Sequence, residues 1–369
     1  MLRRMRTLRI SLLAAIFAVA VTAAEADIVV GVAGPMSGSN AAFGEQFRRG
    51  AEKAVADINA AGGVLNQKLM LVIGDDACDP KQAVSVANDM AAKRAVFVAG
   101  HYCSSSSIPA SDVYAESGII QITPASTAVE LTERRLSNVF RVCGRNDQQA
   151  PLAAIHVAEH FKGKRVAVVD DKSTFGKGLA DEFRRTLNAR GIKETLNDSI
   201  VAGQRDYLPL VTKLKQARID VVYFGGYHAE AGLIVRQMRA QNVQTLLVGN
   251  DAMVTDEFWS ITGPAGEGTL ITFTPDPRLD PKNAQLVQYF RSRGYEPEAY
   301  TLYTYAAVQA WAQAAAKAGT TNAARVSAAL KANPFDTVLG RIGFNAKGDV
   351  TAPGYKLYVW KAGKYVYAE

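Results

Sequence analysis

Short apolar runs alternate along this chain with longer stretches in which apolar residues recur every three or four positions. The short runs are DIVVGV, KLMLVIGDD, AVFVAG and IIQIT within residues 27–123, then RVAVVDD, ETLNDSIV, DVVYFGG, TLLVG and TLITFT within 165–274. Brief runs rich in Val and Ile predict strands. Between the first two, residues 43–63 place Phe47, Ala51, Ala54, Val55 and Ile58 at helical spacing and stop at Gly62-Gly63. Residues 80–93, 108–117, 151–161, 176–191, 208–218 and 229–242 predict further helices. Repeated strand–helix units imply parallel sheets covered by helices on both faces.

The units form two series of similar plan, broken near Arg141–Asp147 and again at the loop-like TPDPRLDP after Phe273. Helices over 284–294 and 298–319 are expected to return to the first series. The tail YKLYVWKAGKYVYA predicts a hairpin around Ala362-Gly363 on the second. The expected class is α/β, two doubly wound parallel-sheet lobes joined by a multi-strand hinge. The bounds are 27–145 plus 276–352 for one lobe and 146–275 plus 353–369 for the other.

Residues 1–26 read differently. Arg3, Arg4, Arg6 and Arg9 precede the apolar run Ile10–Val21, and Ala24-Glu25-Ala26 or Thr22-Ala23-Ala24 offers a small-residue cleavage site. That is the pattern of a secretory signal peptide, and an apolar run of roughly 12–15 residues falls short of the ~20 a spanning helix needs. Its removal predicts a periplasmic protein and lowers the net charge from +7 to +4, because four arginines and Glu25 leave with it. The remaining basic residues are spread along the chain without aromatic interleaving, so nucleic acid is not an expected partner. The rest of the chain exceeds the ~250–300 residues at which one core stops growing, as two lobes require. Of three cysteines, Cys78 and Cys103 each follow a strand-like run and could pair in an oxidising compartment, leaving Cys143 as a half-buried thiol.

Catalytic patterns are weak. Gly31, Gly34 and Gly38 lack dinucleotide-loop spacing. His156–His160 spell H-x-x-E-H, but both histidines flank the apolar stripe of their helix, so a solvated face explains them without zinc. Ser104–Ser107 lack a nucleophile elbow, and His101 is too close in sequence to serve as their base. DDACDP lacks calcium-loop spacing. No cofactor, metal or enzymatic activity is expected.

Binding is better supported. CSSS (Cys103–Ser106), TPAST (Thr123–Thr127) and GGYHAE (Gly225–Glu230) each follow a strand-like run, where parallel sheets hold ligands. Together with GDDACDPKQAVSVAN, DDKSTFGKGLA, PEAYTLYTYAAVQ and PFDTVLGRIGFNAKGD, these segments resemble the leucine/isoleucine/valine-binding proteins over nearly the whole chain after residue 26. That family comprises periplasmic receptors of ABC importers with the type I periplasmic-binding-protein fold. The resemblance implies that Ser104 and Thr127 hold an α-carboxylate. It also implies that the Ala125 carbonyl, the Thr127 hydroxyl and Asp251 hold an ammonium, with Cys103 and Ser126 beside them. Asp251 stands where the leucine-binding type has glutamate. Phe43, Tyr102, Phe175, Tyr227 and Tyr300 map to aromatic walls, with phenylalanine at two positions that are tyrosine in that type. The function implied is capture of a neutral, branched-chain or small aliphatic amino acid by a monomeric receptor that delivers it to a membrane permease. The alternatives are a receptor for an aromatic acid, γ-aminobutyrate or an amide, and, more remotely, a periplasmic enzyme.

Overall fold

The computed structural model describes residues 27–351 and 354–368; the expected signal segment lies outside the described residues. Fourteen strands are described: β1 (Ile28–Gly34), β2 (Leu69–Asp75), β3 (Phe97–Gly100), β4 (Ile120–Thr123), β5 (Val139–Arg141), β6 (Val166–Asp170), β7 (Leu196–Ser199), β8 (Val221–Gly225), β9 (Leu246–Val248), β10 (Leu270–Phe273), β11 (Phe335–Thr337), β12 (Gly340–Ile342), β13 (Lys356–Lys361) and β14 (Lys364–Tyr367). The α-helices are α1 (Ala41–Ala60), α2 (Pro80–Ala92), α3 (Ser104–Glu116), α4 (Glu130–Glu133), α5 (Asn146–His160), α6 (Thr174–Ala189), α7 (Leu208–Gln216), α8 (His228–Ala240), α9 (Asp256–Thr262), α10 (Ala284–Arg291), α11 (Tyr300–Ala318) and α12 (Ala323–Ala332).

The strands build two open sheets and a small hairpin. The first sheet runs β2-β1-β3-β4-β5, all parallel. The second runs β14-β13-β10-β9-β8-β6-β7, in which β7, β6, β8, β9 and β10 are parallel. The tail hairpin β13–β14 adds antiparallel at its edge, as the pattern around Ala362-Gly363 predicts. Either parallel set has the doubly wound order that reverses direction at one central position, which opens a crevice at the carboxyl ends of the strands. β11 and β12 form the separate hairpin.

Several elements depart from expectation. β5 was not anticipated: three residues carry too little pattern to stand out. The serine run 104–107 is the first turn of α3 rather than a loop before it. α5 begins at Asn146, so Pro151 lies inside the helix instead of opening it. Near the chain's end, α12 and β11–β12 were also missed. Cys143 is free as expected but fully rather than half buried, and burial pushes its thiol up to about 12.

Three segments cross between the sheets: residues 142–145 from β5 to α5, residues 274–277 after β10, and the stretch between Asp349 and β13, of which residues 350–351 and 354–355 are described. Arg141, the last residue of β5, ties the start of the first to the residues just before the third. Its buried guanidinium Nε lies 2.9 Å from Asp349 Oδ1, and its backbone N–H donates to the Gly348 carbonyl at 3.0 Å. α1 packs along α11, and this ties the amino-terminal strand region to residues that arrive some 250 positions later. Tyr305 donates to Asp57 at 2.7 Å across that seam. At Gly50 a side chain is impossible without movement, because a Cβ would lie 2.2 Å from the Thr301 carbonyl oxygen.

Candidate functional site

The carboxyl ends of β1, β3 and β4 face those of β6, β8 and β9 across a closed cleft, and the expected site residues converge on these loops. The TPAST turn is built by Thr123, whose hydroxyl donates to the His101 carbonyl at 2.7 Å and accepts from Ser126 N at 2.9 Å. Arg141, which sequence reasoning missed, holds the turn from below by donating to the Ser126 and Ala128 carbonyls at 2.8 and 2.9 Å. Ser104, first residue of α3, accepts from Ala128 N at 3.2 Å, so the helix start and the turn are joined. Thr127 Oγ1 is buried with no partner. A helix amino terminus with free hydroxyls beside it suits an anion.

Ser126 is different from its neighbours. Its hydroxyl is already engaged by Ser107 Oγ at 2.7 Å and by the His101 and Tyr102 carbonyls, so it serves the turn itself. Cys103 is bonded to Cys78, which pins the loop after β3 to the loop after β2. The carboxylates of DDACDP are likewise structural. Asp75 accepts from Met36 N and Ser37, Asp79 caps α2, and Asp76 grips His101 Nδ1 at 2.5 Å. His101 Nε2 meets the Tyr114 hydroxyl at 2.9 Å, so neither ring nitrogen is turned to a serine hydroxyl as a base.

On the opposite side, Asn250 caps the turn that carries Asp251, accepting from Ala252 N at 2.9 Å while donating to the Phe224 and Gly226 carbonyls at 3.1 Å each. Asp251, just past β9, is thereby fixed beside the end of β8. Its carboxylate receives the Tyr300 hydroxyl at 2.6 Å and Gln149 Nε2 at 2.9 Å. Burial pushes this carboxyl up to about 6, against the lowering effect of those two hydrogen bonds. No cationic side chain is among the groups that shift it.

All five expected aromatics join one network. Phe43 stacks on Tyr102 with centroids 4.3 Å apart, and Tyr102 reaches Tyr227 at 5.9 Å and Tyr300 at 5.8 Å. Tyr227 in turn meets Phe175 at 5.1 Å. The network therefore bridges loops of both sheets. His228 closes its rim edge-on to Phe43 at 5.4 Å, with Nε2 2.9 Å from Glu257. Gln149 and Arg141 are members that sequence reasoning missed, whereas His228 lies in the GGYHAE stretch it marked.

Nothing in this enclosure suits a metal. His156 and His160 stack on each other at 4.2 Å on the outer flank of α5, and no group of three metal-ligating side chains occurs among the described residues. The site's chemistry is hydrogen bonding and enclosure.

Residues 27–364 match the family model described as periplasmic binding protein. The chain belongs to that family. A Leu/Ile/Val-binding protein homolog 1 from Brucella melitensis is 50% identical over 348 residues, covering 93% of this chain and 94% of the relative. An amino acid binding protein from Pseudomonas aeruginosa is 49% identical over 348 residues, with 93% of each chain covered. Among solved structures, the branched-chain amino acid transporter substrate binding protein LivJ from Streptococcus pneumoniae, in complex with isoleucine, is similar at a TM-score of 0.84 and 25% identity. The match covers 92% of this chain and 98% of that one. The expected type I periplasmic-binding-protein fold is the fold found, and the family is one of receptors rather than enzymes.

Proposed function

We propose that this chain is a periplasmic receptor that closes over a neutral α-amino acid and delivers it to the membrane permease of an ABC importer. The observation that carries the reading is the pairing of two opposite demands inside one aromatic enclosure. The α3 start with Thr127 Oγ1 asks for an anion, and the buried, cation-free Asp251 asks for a cation. A zwitterion meets both. Its carboxylate sits against Ser104 and Thr127, its ammonium against Asp251, the Ala125 carbonyl and the Thr127 hydroxyl, and its side chain against Phe43, Tyr102, Phe175, Tyr227 and Tyr300. The named ligands of the relatives support an aliphatic amino acid.

The two sheets are read as the cores of two lobes, 27–145 plus 276–352 and 146–275 plus 353–369, with the three crossing segments as the hinge. The leader over residues 1–26 exports the chain, and the receptor acts as a monomer. A thermal-shift panel of the neutral, acidic and basic amino acids, benzoate and γ-aminobutyrate tests the reading. A ligand at 100 times its Kd adds about 2.7 kcal/mol of stability. Stabilisation by neutral amino acids supports the proposal, and stabilisation by amine-free acids alone overturns it.

A further inference from the structure

Glu298 stands just before α11, and its carbonyl accepts from Thr301 N at 2.9 Å, which fixes it to the start of that helix. α11 packs on α1, β3 and β4, so Glu298 belongs to the body of the first sheet. Its carboxyl is held from the other body. Oε1 accepts from Asp256 N at 2.9 Å, and Oε2 lies 3.2 Å from Thr255 Oγ1. Thr255 and Asp256 open α9, which packs on α8, the helix that follows β8 of the second sheet. Gln46 of α1 sets the carboxyl from its own side. Its Nε2 lies 3.4 Å from Glu298 Oε2, and its Oε1 accepts from Tyr300 N at 3.0 Å. Gln46 and Thr255 are buried, so this is no loose surface pair. Burial and the nearby Asp256 push the Glu298 carboxyl up to about 8, so at pH 7 it is mostly neutral. A neutral carboxyl keeps an acceptor for Asp256 N and a hydroxyl for Thr255, and enclosing it buries no charge.

We propose that Glu298 is the latch of the closed receptor, joining the body of the first sheet to Thr255 and Asp256 of the second and so setting ligand affinity without touching the ligand. This rests on the amino-acid receptor reading given above. Glu298, Gln46, Thr255 and Asp256 are not among the residues assigned to the ligand, yet Gln46 ties the latch to Tyr300 of the aromatic wall. Ligand enters an open cleft before the latch forms and leaves only after it breaks. A bond made in the closed state alone favours closing, and the observed affinity follows that equilibrium. Its loss therefore appears in the release rate.

The test compares Glu298→Ala with Glu298→Gln at pH 7, using whichever of L-alanine, L-valine and L-leucine binds the wild-type protein best. Calorimetry reads affinity, and stopped-flow displacement reads release. Glu298→Ala should bind roughly tenfold more weakly, about 1.4 kcal/mol, with nearly all of the loss in faster release. Glu298→Gln keeps an acceptor for Asp256 N and a donor for Thr255 Oγ1, so it should stay within about threefold of wild type. Thr255→Val cuts the same latch from the other body, and adding it to Glu298→Ala should cost nothing further. Glu298→Ala within about threefold of wild type overturns the latch. So does a glutamine variant as weak as the alanine one, a loss confined to the association rate, or additive losses in the double variant. Should Glu298→Ala fail to fold, Thr255→Val decides alone. It must then speed release at least about threefold, and an unchanged rate overturns the latch. If none of the three amino acids binds the wild-type protein, the amino-acid reading fails, and the latch with it.

Discussion

Replacing Asp251 by asparagine should separate binding from stability, in opposite directions. Burial raises this carboxyl from an ordinary 3.8 to about 6. A folded-state acid with a raised pKa binds its proton more tightly than the unfolded chain does, so stability is lost as pH rises from about 4 to about 6. Above that range the ionised group costs roughly 3 kcal/mol, at about 1.4 kcal/mol per pH unit. Asparagine removes the charge and keeps an acceptor for Gln149 Nε2, while its amide can donate to the Tyr300 oxygen. The unliganded variant should therefore melt at the same temperature or a few degrees higher at pH 7.5. Binding should move the other way. Losing the charged partner of a buried ammonium typically costs about 2–5 kcal/mol, or some 30-fold to several-thousand-fold in affinity. In the wild type, affinity should fall about tenfold between pH 7 and pH 5, because the protonated carboxyl must release its proton to receive the ligand. The variant should show no such slope. Calorimetry at three pH values with parallel melting curves reads all of this. Unchanged amino-acid affinity, or an unliganded variant that melts well below wild type, would refute the role given to Asp251.

The aromatic enclosure gives a charged ligand side chain no partner, so glutamate and lysine should bind at least about tenfold more weakly than alanine, valine or leucine in competition. Glu298 sits between Asp256 N at 2.9 Å, Thr255 Oγ1 at 3.2 Å and Gln46 Nε2 at 3.4 Å, and burial with the nearby Asp256 pushes it up to about 8. Its raised pKa means stability declines as pH rises from about 4.5 to about 8, and Glu298→Gln should flatten that decline in melting temperature. Thiol titration without reductant should find no reactive group in the native protein and one, Cys143, after denaturation.

The sheets were legible because their strands are apolar runs bounded by glycine and aspartate, and the helices because their apolar stripes repeat. Where a segment obeys a rule of proximity rather than of pattern, the sequence was silent. β5 has three residues and takes its identity from β4 and from Asp349, which lies far along the chain. Pro151 misled because a proline more often opens a helix than interrupts one; here α5 tolerates one missing hydrogen bond near its start. The site divides the same way. Ser104, Thr127 and Tyr227 stand in compact motifs at strand ends, where local order suffices to place them. Gln149 reaches Asp251 across 102 positions, and Arg141, which holds the TPAST turn, meets Asp349 from far along the chain. Such pairings are products of topology, and no local pattern announces them.

The seam between α1 and α11 has a consequence for how the chain comes to be folded. The amino-terminal sheet cannot complete its cover until residues near 300–318 have been made, since α1 rests on a helix from that stretch. A ribosome adding some 5–20 residues per second takes on the order of ten seconds or more to cover that interval. During that time the growing chain holds an incomplete core. Contacts of such long range also slow the search for the native arrangement once the polypeptide is whole. Under the proposed export, this connectivity delays completion of the core, a state in which an export pathway could thread the chain. Moving the α11 sequence next to α1 by circular permutation would shorten that window and should speed refolding from denaturant.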